Sequence, residues 1–163
     1  MNYHNITHCD TLNGSGIRTT LWVAGCEHHC KNCHNPSTWD VNSGIPFDAE
    51  AMTELIQSLG NDYVSGLTLS GGDPMHPSNR ETVLEICKVV KEQFPKKNIW
   101  MYTGYTFEEI KEHPVLQYVD VLVDGRFVED LKDINLHWVG SSNQRVISVS
   151  ETLKQNKIIT IQN

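Results

Sequence analysis

The sequence is 163 residues long, 39% hydrophobic and 20% charged, with 13 Lys and Arg against 20 Asp and Glu. That length suits one domain over residues 1–163, and the composition excludes wholesale disorder and a collagen-like repeat. A net charge of -7 disfavours a nonspecific nucleic-acid binder, which would carry a basic excess.

No basic and then apolar leader opens the chain, and its longest apolar runs, residues 21–24 and 121–123, fall far short of the ~20 that a spanning helix needs. The expectation is a cytoplasmic protein without membrane contact, in a compartment where thiols stay reduced.

Residues 17–23 read as the first strand, with Gly25 and Cys26 just beyond it. Residues 48–59 read as a helix, because Met52, Leu55, Ile56 and Leu59 recur on one face of a 3.6-residue period. Residues 67–70 form a second short strand, stopped by Gly71-Gly72-Asp73-Pro74. Residues 80–94 form a second helix with Val83, Ile86, Cys87, Val90 and Phe94 on its apolar face, and Pro95 helps to end it. Residues 98–102 are a third strand, followed by Thr103-Gly104. Thr106 and Glu109 make a capping-box pair that starts a shorter third helix, blocked by Pro114. Residues 119–123 are a fourth strand, ending in Asp124-Gly125. Residues 145–149 and 157–161 each fit a strand, with a polar turn or short helix between them.

The alternation of strand and helix implies an α/β fold with parallel strands and right-handed crossovers. In such folds ligands collect at the carboxyl ends of the strands. Glycine-containing loops at Gly25, Gly71-Gly72, Gly104 and Gly125 all fall at those ends. A turn explains each glycine singly; their shared placement suggests one site.

Five cysteines are present, an odd number, and three of them, Cys26, Cys30 and Cys33, lie in a C-x3-C-x2-C cluster. A disulfide framework would spread its cysteines and use an even number. Three close thiolates suit a 4Fe–4S cluster with one iron left open for substrate. Zinc is the alternative, with His28, His29 or His34 as fourth ligand, although no second ligand pair follows downstream. Cys87 sits on a helix's apolar face as a small hydrophobe, and Cys9 has no evident role.

The cysteine triplet after a first strand resembles the radical S-adenosylmethionine superfamily. The stretch Asn13-Gly14-Ser15-Gly16-Ile17-Arg18, running on to Cys33-His34-Asn35, resembles the signature of glycyl-radical-enzyme activases. Ser37-Thr38-Trp39, Leu69 to Pro74, Trp100 to Tyr105, Val123-Asp124-Gly125 and Gly140 to Arg145 extend the likeness over almost the whole chain. In that order and spacing they resemble the activases of anaerobic ribonucleotide reductase.

The resemblance implies a shortened, open partial (β/α) barrel of the radical S-adenosylmethionine type, since a full barrel needs roughly 200 residues or more. It implies one 4Fe–4S cluster per chain on Cys26, Cys30 and Cys33, with S-adenosylmethionine chelating the fourth iron. One electron would then cleave the sulfonium to methionine and a 5′-deoxyadenosyl radical, which takes hydrogen from a glycine Cα of the partner reductase's large subunit. An electron donor such as a flavodoxin is implied as well.

By position, Gly71-Gly72-Asp73-Pro74 would meet the methionine amino group, Gly72 by close backbone approach and Asp73 by its charge. Asn32 and His34 flank the third cysteine and would lie near the nucleoside, where the superfamily often has an aromatic residue and the nearer family often a tyrosine. Tyr102 and Asp124, at strand ends, would line the cofactor; an ordinary strand aromatic and turn acid explain them too. Arg18 belongs to the signature and also reads as a surface strand residue, while Asn143 and Arg145 either hold partner or cofactor or form an exposed turn. A loop of the partner would enter the open side of the barrel. Two other readings stand beside this one: a different small radical S-adenosylmethionine enzyme, and a non-enzymatic zinc-binding module.

Overall fold

The polar start of the chain conceals a strand. Asn2–Asp10 forms β1 in the computed structural model, which describes residues 1–161, so the last two residues of the expected single domain lie outside the described ones. Only Tyr3, Ile6 and Asp10 of β1 are buried, and two register shifts interrupt its antiparallel pairing with β2, Ile17–Val23. No two-residue alternation of apolar side chains therefore marks it. The expected first strand is the second.

A two-residue segment, β3 (Ile45–Pro46), pairs antiparallel with β1. Helix α1 (Ala49–Leu59) starts at Asp48, whose carboxylate accepts from Ala51 N at 3.0 Å and satisfies one open donor of the first turn. Strand β4 (Val64–Gly71) begins earlier than residue 67, and α2 (Arg80–Gln93) follows it. Then come β5 (Asn98–Tyr102) and a single helical turn, α3 (Phe107–Ile110), which carries the Thr106–Glu109 capping box. Strand β6 (Val121–Asp124) starts later than expected, because a 3-10 turn over Pro114–Gln117 takes up the approach. Strand β7 (Arg145–Ser148) leads straight into α4 (Val149–Gln155), which stops at Asn156 in the left-handed region. Residues 157–161 contribute only an isolated bridge, Thr160 to Ile147, where a strand was expected.

The seven strands make one mixed sheet in the order β3-β1-β2-β4-β5-β6-β7. The four middle strands, β2, β4, β5 and β6, run parallel, while β1, β3 and β7 are antiparallel additions. Two-residue alternation splits the sheet into unlike faces. Leu21, Val23, Leu67, Leu69, Ile99, Met101 and Leu122 pack with Leu55 and Leu59 of α1, Ile86 and Val90 of α2, Phe107 and Ile110 of α3 and Val149 of α4. Each fully buried side chain of this kind contributes roughly 1.5–3 kcal/mol. Cys87 belongs to this cluster, and burial pushes its thiol up to about 12.

The other face is smaller and mixed. Trp100, Val121, Val123 and Val146 pack with Tyr102, Trp138 and Val139, so connecting segments rather than helices cover it. Arg18 lies deep there, fully buried rather than at the surface. Its guanidinium donates to Thr68 Oγ1 (3.0 Å), Asn98 Oδ1 (2.5 Å), Leu67 O (2.7 Å) and Ser15 O (3.2 Å), and lies over the Trp100 ring. Among the described residues no helix is long and apolar enough to cross a membrane.

Candidate iron–sulfur centre and cofactor cleft

The site begins where β2 and β4 end side by side. Gly72 N donates to Val23 O and Asp73 N to Gly25 O, both at 2.7 Å, so the loop after β4 continues the ladder onto the base of the cysteine loop. Asn79 Nδ2, fully inside, ties Ala24 O (2.8 Å) to Asp73 O (2.9 Å). This contact demands small residues. A Cβ on Gly71, at φ +102°, would stand 2.5 Å from Val23 N, and one on Gly72 would stand 2.5 Å from Gly25 O. The two glycines make a floor on which the cysteine loop rests backbone to backbone.

The loop itself is bent by two left-handed residues, His29 (φ +48°) and Asn32 (φ +55°). Histidine and asparagine are among the side chains that adopt this conformation most readily. Cys33 N closes a turn on Cys30 O at 3.1 Å, and Asn35 N points at Cys33 Sγ from 3.4 Å. The Asn32 side chain donates to Glu129, which also pairs with Lys31 at 3.3 Å, and so anchors the loop's outer edge.

Cys26, Cys30 and Cys33 line one cleft of about 150 Å³ together with His34, Gly71, Gly72, Asp73 and Tyr102. Eight of the ten residues singled out in the sequence thus share it. Asn32 instead lines an adjoining cleft of about 370 Å³, which His34 and Tyr102 also reach and which Trp22, Phe127 and Trp138 wall. Asp124 lies outside both, in a polar cleft of about 580 Å³. Its carboxylate accepts from Phe107 N (2.7 Å) and from the Arg145 guanidinium (2.5 and 3.0 Å), which also grips Glu108. Arg145 and Asp124 are thereby committed to joining β6, β7 and α3.

Burial pushes the Cys26 thiol up to about 11, with the nearby Asp73, Cys30 and Cys33 adding to the effect. Burial likewise raises Cys30, opposed by the Phe127 N–H and the Arg126 guanidinium. Such thiols hold their protons until a metal centre displaces them. Burial raises the Tyr102 phenol as well, and its hydroxyl has no partner among the described residues.

The donor set fits a 4Fe–4S cluster. One loop supplies three sulfurs to one cleft, and among the described residues no fourth cysteine lines it, an arrangement that suits a cluster with one iron open to a further ligand. The zinc alternative draws on histidines of the same loop. Cys26 Sγ, a His28 nitrogen and an Asp73 oxygen do lie within 4.8 Å of one another. However, His28 Nε2 is directed at the Asp73 carboxylate, 2.6 Å away, and His29 packs against Trp39.

Residues 12–147 match a family model described as a 4Fe-4S single cluster domain, a stretch that contains every residue lining the cysteine cleft. The chain is 47% identical over 148 residues to the anaerobic ribonucleoside-triphosphate reductase-activating protein of Enterobacteria phage T4, covering 91% of this chain and 94% of that protein. It is 46% identical over 148 residues to the protein of that name from Vibrio cholerae (88% and 96% covered), and 45% identical over 150 residues to that of Escherichia coli K12 (90% and 97% covered). The chain belongs to the family of anaerobic ribonucleoside-triphosphate reductase-activating proteins. Membership agrees with the resemblance read from the motifs, and it brings an iron–sulfur cluster with it.

Several residues of the cleft are not singled out as cofactor contacts in the sequence. Arg126 and Phe127 lie outside every quoted motif, whereas Thr103, Gly104 and Gln144 fall within the motif stretches without a role given to their side chains, and His28 reads only as an alternative zinc ligand; all of them line it. Arg126 and Phe127 follow the Asp124-Gly125 strand end directly, so the strand-end rule pointed at their segment and only the side-chain directions were missing. Gln144 arrives from a distant loop, where its amide donates to Gly125 O at 2.9 Å.

Proposed function

We propose that this chain activates an anaerobic ribonucleoside-triphosphate reductase by generating a glycyl radical on it, as a radical S-adenosylmethionine enzyme. In this reading the mixed open sheet is a shortened (β/α) barrel, and its loop-covered face is the side that the partner's glycine segment approaches. The supporting observation is the single cleft in which three cysteines of one loop face the Gly71-Gly72 floor at the ends of parallel strands.

Cys26, Cys30 and Cys33 would hold the 4Fe–4S cluster, and the glycine floor would lie against the methionine end of S-adenosylmethionine. When bound, the cluster would supply one electron and S-adenosylmethionine the radical chemistry that removes hydrogen from a glycine Cα. The chain's own residues do the placing. Gly71 and Gly72 bring the β4 end against the base of the cysteine loop, Tyr102 and Phe127 line the cleft where they would exclude water, and Arg126 adds positive charge beside Cys30. The reducing electron would come from a small carrier such as a flavodoxin, in the cytoplasm.

The test is anaerobic reconstitution with iron and sulfide, reduction, and addition of S-adenosylmethionine. The expected result is a brown protein that releases 5′-deoxyadenosine and, with the reductase present, a glycyl radical detected by EPR. Cys30→Ala should abolish both. A wild-type protein that takes up only zinc and cleaves nothing would overturn the proposal.

A further inference from the structure

We propose that His28 is a positioning residue of this site: by donating its Nε2–H to Asp73 it latches the cysteine loop onto the glycine floor and so sets how the cofactor meets the cluster. The inference rests on the function proposed above.

The contact is short and sealed. His28 Nε2 lies 2.6 Å from Asp73 Oδ2, and the two side chains are 3% and 1% exposed. A carboxylate can only accept, so the imidazole donates. Asp73 is already held from three other directions, by Met75 N (2.7 Å), Thr103 Oγ1 (2.8 Å) and Gly104 N (2.9 Å). A carboxylate has about four lone-pair sites, so the chain itself fills them all. Asp73 therefore keeps no free oxygen for a ligand and works through the loop it holds.

The segment after β5 is shaped around this imidazole. A Cβ on Gly104 would stand 2.4 Å from His28 Cδ2 and 2.6 Å from Nε2, so the glycine makes the room that the ring fills. The Tyr105 ring packs edge-on against it at 4.6 Å, and the Tyr105 hydroxyl donates to the adjacent Glu27. Thr103, Gly104 and Tyr105 thus orient the acceptor, clear the space and brace the ring in turn. His28 is two residues from both Cys26 and Cys30 along the chain, so a displaced ring carries two thiols with it. Its Nδ1 is buried without a partner among the described residues.

Four variants test the latch: His28→Gln, which keeps an N–H at the same number of bonds from Cβ; His28→Leu, which fills the space without a donor; Gly104→Ala, which alters no polar group; and the double variant His28→Leu/Gly104→Ala. In the metal-free wild type, the ring N–H should appear by NMR as a downfield, slowly exchanging proton that His28→Leu removes. After reconstitution, His28→Leu should retain iron and sulfide but lose the change that S-adenosylmethionine induces in the EPR spectrum of the reduced cluster. Its KM for S-adenosylmethionine should rise roughly 10–100-fold, the usual loss when the support of a metal site is removed, with kcat less affected. His28→Gln should stay near wild type, Gly104→Ala should behave like His28→Leu, and the double variant should be no worse than either.

A wild-type KM and EPR response in His28→Leu would sink the idea, and so would a His28→Gln variant as impaired as His28→Leu. If His28→Leu does not fold, Gly104→Ala decides on the same readouts, and absence of the protected ring N–H in the wild type refutes the latch without any variant. A wild-type protein with that N–H signal but no response to S-adenosylmethionine would instead reject the proposed function and leave the contact standing.

Discussion

Asp10 shows how a single side chain can organise a signature whose purpose the sequence does not reveal. It closes β1 and is almost fully buried, accepting from Leu12 N, Asn13 Nδ2 and Thr20 Oγ1, each at 2.7 Å. Burial alone would raise its carboxyl, but these donors outweigh burial and hold it below its ordinary value of 3.8. A carboxyl depressed in the folded state stabilises above its ordinary value, and that contribution is lost as pH falls through the depressed one. Asp10→Asn should therefore lower stability by about 1–2 kcal/mol at neutral pH. In urea titrations at a series of pH values, the gap to wild type should close as pH drops below 3.8. Arg18, a few residues on, is the counterexample to reading a charged residue as a surface one. Burial lowers its guanidinium to about 10, so it stays cationic at neutral pH, and backbone and amide oxygens rather than carboxylates surround it.

At the scale of elements, β4 holds the site together because it lies between β2 and β5. Its early residues matter as much as its glycine-rich end. Gly66 faces Asn98 in the parallel pairing with β5, and a Cβ there would stand 1.9 Å from Asn98 O. Backbone cannot yield as a side chain tip does, so Gly66→Ala must part the two strands locally. The expected loss is about 2–3 kcal/mol, read as a lower urea midpoint with an unchanged slope. Gly66 fell outside the expected strand because it lacks a side chain to join the alternation, and its role comes wholly from a neighbour distant in sequence. Helices α1 and α2, by contrast, were legible nearly to the residue, since their apolar periodicity and the stop at Pro95 are local signals.

At the scale of the whole molecule, all four helices add their buried apolar residues to one side of the sheet, and connecting segments cover the other. The cysteine loop follows β2, and its base is held by two hydrogen bonds from the β4 floor, Gly72 N to Val23 O and Asp73 N to Gly25 O, and by two to the segment after the loop, Gly25 N to Thr38 O and Cys26 N to Trp39 O. A cluster bound by the folded loop and not by the unfolded chain stabilises by mass action, by about 4 kcal/mol at a thousandfold excess over the dissociation constant. At this size each kilocalorie moves the melting temperature by about 2–4 °C. Anaerobic melts should therefore place the reconstituted protein well above the metal-free one, and Cys30→Ala should erase the difference while leaving the metal-free melt within a few degrees.

The cysteine triplet, the glycine pair that floors the cleft, the main helices and the parallel middle strands were all legible in the sequence, because spacing and periodicity are carried by neighbours along the chain. Strand β1 was hidden by its sparse burial and its bulges. Tertiary structure alone decided which polar side chains already have partners. Asp124 proved to be committed to Arg145, Asp73 to His28, and Arg18 to the interior, through contacts that span 21, 45 and 50 or more residues. No local pattern encodes such pairings, since each exists only once the strand ends have been brought side by side.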